Sequence, residues 1–215
     1  MSFMLYLGEV KDMDIEKNKE RFISLFETYI KRRNSEHLLN YIINKSDFFT
    51  APASTRYHGT YEGGLCEHSL QVYDCLKDYL SRPRVKEIYE LDVSEETIAI
   101  IALLHDLCKC NVYKTDTKNK KINGAWQQVP YYVFEDPFPY GHGEKSVFMI
   151  QHYIPLTAAE AMAIRYHMGF SSTESASQVG QAFNKYPLAF ALSTADMEAT
   201  YFLENIQKHE ENNDE

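Results

Sequence analysis

The sequence predicts an all-α helical bundle, interrupted near residues 114–140 by an inserted loop or short β-hairpin. Three observations carry this. Apolar residues recur at helical spacing in most long segments. Recognisable helix starts and stops punctuate those segments. The one long break in the pattern holds the single tryptophan, Trp126, among several tyrosines. With 215 residues, 44% of them hydrophobic and 13% aromatic, the chain can bury a substantial core and reads as one domain with peripheral additions.

A first amphipathic segment runs from about Ile15 to Ile30 and a second from Glu36 to Ile43, giving an N-terminal helical extension (1–50) packed on the core. The stretch DFFTAPASTRYHGTYEGG, rich in Pro, Gly, Ser and Thr, reads as a loop packed beside something. In GGLCEHSLQVYDCLKDYL, residues Leu65, Val72, Leu76 and Tyr79 share a helical stripe, and His68 lies on it. A connecting segment spans Ser81 to Asp92. Ser94 then serves as N-cap, with Glu95 and Glu96 in the first turn, for a helix that ends in His105-Asp106.

From Lys114 to Tyr140 a Lys-rich tip, KTDTKNKKING, is followed by WQQVPYYVFEDPFPYG, a hairpin or extended lid whose Trp and Tyr are candidates for a substrate wall. Helical pattern resumes after Gly141-His142-Gly143. Thr157 and Glu160 form a capping-box sequence for the helix AEAMAIRYHMG, with His167 in its last turn and Gly169 placed to end it. A polar loop, SSTESASQVGQAFNKYP, leads to LAFALSTADMEATYF, where Leu188, Ala189, Leu192 and Asp196 share a stripe. The core domain extends over 51–205, and 206–215 is an acidic flexible tail.

Net charge is −9, which disfavours a broad surface for long nucleic acid or a membrane, while small anionic substrates remain compatible where cations reverse the local sign. No secretory leader opens the sequence and no apolar stretch approaches the roughly 20 residues that cross a bilayer, so a cytoplasmic protein is expected. Cys66, Cys75, Cys108 and Cys110 show no CxxC pairing and read as reduced packing residues.

The chemistry lies in polar groups that interrupt apolar helices. His105 and Asp106 follow Ile98, Ile101, Ala102 and Leu104 directly, and burying the charged group there costs several kcal/mol unless partners or a cation satisfy it. A single histidine on an apolar face is ordinarily a hydrogen-bonded core residue. Imidazoles and carboxylates recur, however, on the core-facing side of several separate helices, and a shared cation resolves the desolvation of all of them.

The ordered set His68, His105-Asp106, His142, His167 and Asp196 resembles the HD-domain metal-dependent phosphohydrolases, over about residues 55 to 202. GGLCEHSLQV, ALLHDLCK, GHGEKS and RYHMG look most like the HD domain of bacterial 3′-to-5′ exoribonucleases, although no OB-fold accompanies them here. Met168 stands where that branch usually has a second consecutive histidine. The resemblance implies an HD-type helical bundle in which His68, His105, Asp106 and Asp196 hold one divalent metal, and Asp106 bridges to a second held by His142 and His167. Mn or Fe suits this mixed donor set best, with Ni, Co, Zn or Mg as alternatives. A metal-activated water would then attack a phosphoester or phosphoanhydride.

Asp106 and Lys109 are the candidate catalytic residues, the lysine standing one turn beyond His105 where the family commonly has one. Arg56 and His58, which the resemblance places at the rim of the site, and Lys145 and Arg165, beside ligand motifs, are candidate substrate contacts. His37, His152 and His209 match no element of the pattern. The expected substrate is a small phosphorylated molecule, a nucleotide first. Alternatives are 3′-to-5′ exonuclease or phosphodiesterase action on single-stranded or cyclic oligonucleotides, and a metal-binding regulatory HD module without turnover. A homo-oligomer is compatible with all three.

Overall fold

The computed structural model describes residues 15–55, 59–122, 124–171 and 174–204. Nine helices occur among them: α1 (Ile15–Tyr29), α2 (Ser35–Asn44), α3 (Gly64–Ser81), α4 (Pro83–Glu87), α5 (Glu95–Leu104), α6 (His142–Gln151), α7 (Ala158–Arg165), α8 (Ala176–Lys185) and α9 (Pro187–Glu198). Two antiparallel strands, β1 (Tyr113–Ile122) and β2 (Ala125–Phe134), form a lone hairpin. The helical bundle and its inserted hairpin match the fold class read from the sequence.

The centre of the bundle is α5, in which every residue from Ile98 to Leu104 is buried. Such a helix has no polar face because α1, α3 and α7 all pack on it, while α9 packs on both α3 and α7. Phe22 and Phe26 of α1 and Leu38 and Ile42 of α2 join the same apolar core as Leu65, Ile101 and Leu192. The joint between α1 and α2 is tied to the bundle by charge as well. Arg32 donates to both carboxylate oxygens of Glu160 (2.7 and 2.5 Å) and to the Pro155 carbonyl (2.6 Å). Thr97 of α5 donates to the same carboxylate at 2.7 Å.

The Ser94 cap and the Thr157–Glu160 capping box form as the sequence requires. Three local expectations need correction. The predicted polar loop after Gly169 contains α8, opened by a capping box of Ser175 and Gln178 that hides behind the loop-like composition. The predicted connection 81–92 contains the short α4, started by Pro83 at its first turn. Helix α7 ends at Arg165, so His167 lies just beyond it rather than in its last turn, and Gly169 takes a left-handed turn at φ +52° after the helix has closed.

Two glycines set how closely the ligand-bearing helices approach. A Cβ on Gly64 would lie 2.2 Å from the carbonyl oxygen of Gly59, and one on Gly143 would lie 2.3 Å from that of Arg165. The first lets the backbone at Gly59 lie against the start of α3. The second lets the first turn of α6 lie against the end of α7, which brings His142 to His167.

The hairpin pairs ten residues per strand, from Tyr113 with Phe134 to Ile122 with Ala125, and Gly124 (φ +83°) takes the corner. Its base is half-buried: the Tyr113 hydroxyl donates to the Ala53 carbonyl at 3.4 Å. Trp126 is 73% exposed. Eight residues of strand place it roughly 26 Å from the base, so Trp126 does not line the interior of the bundle as a substrate wall would. The tail 206–215 lies outside the described residues.

Candidate metal centre

Four helices and the turn after α7 aim their polar side chains at one point. His68 comes from α3, His105 and Asp106 from the end of α5, His142 from the first residue of α6, His167 from beyond α7 and Asp196 from α9. All are buried except His142, whose side chain is 36% exposed and marks the open side.

Asp106 sits at the middle. Its Oδ2 lies 3.5 Å from His68 Nε2 and 3.4 Å from His105 Nε2, while its Oδ1 lies 2.9 Å from His142 Nε2 and 3.4 Å from His167 Nε2. Within each histidine pair the Nε2 atoms are 3.2 Å apart, and Asp196 Oδ1 is 3.2 Å from His68 Nε2. Two ligands bonded to one cation at about 2.1 Å stand about 3.0–3.4 Å apart at tetrahedral or octahedral angles. The observed separations are therefore close to the edges of such shells, one on each side of the Asp106 carboxylate.

The outer nitrogens explain why all four Nε2 atoms point inward. Nδ1 of His105 donates to the Ala102 carbonyl (2.8 Å) and Nδ1 of His167 to the Ile164 carbonyl (2.6 Å). A carbonyl only accepts, so in each ring Nδ1 carries the proton and the neutral form presents a bare lone pair at Nε2. Nδ1 of His68 faces Glu204 Oε1 at 2.7 Å, and Nδ1 of His142 faces the Cys108 thiol at 3.4 Å.

Inward-facing lone pairs beside a carboxylate need something positive between them. Burial disfavours the imidazolium at all four rings, and it prevails at His105 and His142, which are lowered. At His68 hydrogen bonds to Asp196 and Glu204 overcome burial and raise the ring to about 10, and at His167 the nearby Asp106 carboxylate likewise wins. Each pair thus combines one raised and one lowered imidazole. Asp106 Oδ1, buried, accepts no hydrogen bond from the described residues. Lone pairs, carboxylates and an orphaned oxygen arranged in this way fit divalent cations, and the sets His68–His105–Asp196, His105–Asp106–His167 and Asp106–Cys108–His142 each bring their donor atoms within 4.8 Å.

Lys109 lies in the 3-10 turn Leu107–Lys109, and its Nζ is 2.7 Å from Asp106 Oδ2. Burial opposes its charge, but Asp106 outweighs burial and holds the ammonium above its ordinary range. Asp106 is likewise kept well below the usual carboxylate range, burial being overcome by Lys109 and the histidines.

Lys145 and Arg165, the described candidate substrate contacts, are both held by carboxylates. Lys145 is buried in an ion pair with Asp136 at 2.6 Å, which holds the segment leading into α6. Arg165 bridges Glu144 and Glu174, each at 2.7 Å. Arg56 and His58 lie outside the described residues. Sequence reasoning gave Cys108, whose thiol burial pushes up to about 12, a packing role only, and it passed over Glu204. Nothing in the local pattern advertises Glu204. On an uninterrupted α-helix it would stand about 80° round from Asp196.

Comparison with known proteins decides the family. The HD domain matches residues 65–201, well over half of the chain. The chain belongs to the HD-domain family. The chain also resembles dihydroneopterin 2′,3′-cyclic phosphate phosphodiesterase of Methanocaldococcus jannaschii, with 43% identity over 60 residues. That stretch is 27% of this chain and 23% of the relative, so the chain matches about a quarter of the relative's length. No solved structure matches the chain. Among the described residues no helix is long and apolar enough to cross a membrane, and all four cysteines are free and buried.

Proposed function

We propose that this HD-domain protein is a metal-dependent phosphohydrolase that cleaves a phosphoester or phosphoanhydride of a small nucleotide with a metal-activated water. The observation that carries the reading is the division of Asp106 between two histidine pairs, one at each carboxylate oxygen. His68, His105, Asp106 and Asp196 would hold one cation, and Asp106, His142 and His167 a second. Imidazole and carboxylate donors favour Mn or Fe over Mg or Ca.

Divalent cations there would supply an ionised water at neutral pH and neutralise charge on the phosphoryl oxygens. The chain's own residues do the rest. Asp106, Asp196 and Glu204 bring three carboxylates and Lys109 one ammonium, so the protein's share of the centre is −2 with neutral imidazoles. Two divalent ions turn that to +2, matching a phosphate dianion. Lys109 holds Asp106 in place and presents a proton donor to the phosphoryl group or the leaving oxygen. His142, the exposed ligand, faces the entry. Two residues before it, Tyr140 stacks on Phe138 (centroids 5.2 Å, planes 6° apart), an exposed aromatic surface suited to a base or pterin ring.

One observation favours a second reading, exonuclease or phosphodiesterase action on single-stranded or cyclic oligonucleotides. The hairpin that rises beside the centre carries Lys114, Lys118, Lys120 and Lys121, and Lys118 lies over the Tyr131 ring at 4.8 Å. Manganese-loaded protein assayed against nucleotides, cyclic nucleotides, a pterin cyclic phosphate and short oligonucleotides separates the two. Turnover of the small esters, abolished in Asp106→Ala, supports the first reading. Turnover of oligonucleotides alone replaces it with the second. Equal rates in Asp106→Ala and wild type overturn both.

A further inference from the structure

Glu204 lies beyond the residues 65–201 that match the HD domain, yet its side chain is only 2% exposed and reaches the metal centre. Its Oε1 accepts from His68 Nδ1 at 2.7 Å. Its Oε2 is also buried, with no hydrogen-bond partner among the described residues. A buried carboxylate oxygen left unsatisfied costs free energy, and a site that keeps one uses its charge for something.

The backbone shows how Glu204 gets there. After α9 the chain widens into a π turn over Ala199–Leu203, closed by Glu204 N donating to the Ala199 carbonyl at 3.1 Å. Each residue of a π turn advances roughly 80° instead of about 100°. Five such residues reduce the offset of about 80° that eight α-helical residues would leave between Asp196 and Glu204 to about 20°. Asp196 and Glu204 thus face the same imidazole, Asp196 at Nε2 and Glu204 at Nδ1.

We infer that Glu204 is a positioning residue for the metal centre, supplied by this chain's own C-terminal turn: it fixes the His68 ring and makes Nε2 a stronger, more anionic donor. The inference rests on the metal centre of the proposed function, although not on hydrolysis. The other three rings are anchored differently, two by neutral carbonyls and one by a thiol. Among the described residues only His68 has a carboxylate behind it, so the cation position it shares with His105, Asp106 and Asp196 is the tighter one. The position at His142 and His167, with an exposed ring and a thiol anchor, is the exchangeable one. A carboxylate behind a ligating imidazole raises its basicity and fixes its orientation.

Glu204→Gln keeps an acceptor for Nδ1–H and removes the charge, and Glu204→Ala removes both. The test uses the full chain, with Mn(II) affinity measured by chelator competition and the His68 ring followed by imidazole ¹H–¹⁵N NMR of zinc-loaded protein. The inference expects a tight-site affinity loss of about 10-fold in Glu204→Gln and up to about 100-fold in Glu204→Ala, with the weaker site unchanged within about twofold. In wild type the His68 Nδ1 proton resonates far downfield. It moves upfield in the Gln variant and further in the Ala variant, a graded change that loss of packing alone does not produce. Affinities within about twofold of wild type in both variants, with folding intact by circular dichroism, overturn the role of Glu204 and leave the centre standing. Failure of the wild type to bind metal overturns the centre itself.

Discussion

Removing the Asp106 carboxylate tests both halves of the centre in one substitution. In Asp106→Ala each proposed cation position loses a ligand, and the Lys109 ammonium loses a partner 2.7 Å away. Asp106 is 2% exposed and Lys109 12%, so water does little to replace the lost interaction. Stranding one partner of a buried pair costs about 3–5 kcal/mol. For a chain of this size that lowers Tm by roughly 6–20 °C. Metal binding and stability then separate in a double variant. Asp106→Ala/Lys109→Met removes the stranded charge and recovers most of the lost Tm, while metal content and turnover stay at background. Differential scanning calorimetry of the metal-free proteins, with metal content measured on reconstituted samples, reads both. An Asp106→Ala protein that keeps wild-type metal content, or a double variant no more stable than the single one, refutes the coupling.

Three further outcomes are expected. Lys109→Met should keep its metal and lose about 10²–10³-fold in turnover, since it removes one charged donor at the reacting group; an unchanged kcat at full metal content removes Lys109 from the chemistry. Glu160 is held below its ordinary value of 4.5, because the hydrogen bonds from Arg32 outweigh burial. That stabilisation is fully present above about pH 4.5 and is lost as pH falls through the depressed value. The stability gap between wild type and Glu160→Gln should accordingly narrow as acid is added, and a gap constant from about pH 7 to about pH 3 contradicts the pairing. Replacing residues 116–131 of the hairpin by an Asn-Gly turn should change Tm by less than about 4 °C and leave metal binding intact; unfolding of the bundle would show that the outer hairpin supports the core.

Much of the fold was legible because helical periodicity and caps are local. Ser94 and the Thr157–Glu160 box lie where the residue types require them. The stretch after Gly169 misled because Ser, Gln and Asn dilute the apolar stripe, and only Val179 and Ala182 of α8 are buried. Among the candidate ligands, His68, His105, Asp106, His142, His167 and Asp196 were visible as polar groups on apolar faces, and the structure brings all six together. The ion pairs of Lys145 and Arg165 were not legible. A basic residue beside a ligand motif carries no sign of its own partner, and these two have Asp136, Glu144 and Glu174. Glu204 was beyond reach for a different reason. A π turn changes the phase of the helix, and no residue type in ATYFL signals it.

The bridging role of Asp106 is tested most directly by anomalous scattering from crystals grown with Mn(II). Two peaks are expected, one at Oδ2 of Asp106 among His68, His105 and Asp196, the other at Oδ1 between His142 and His167, each about 2.0–2.3 Å from its donor atoms. Manganese bound away from both carboxylate oxygens of Asp106, or no bound manganese at all, would contradict it.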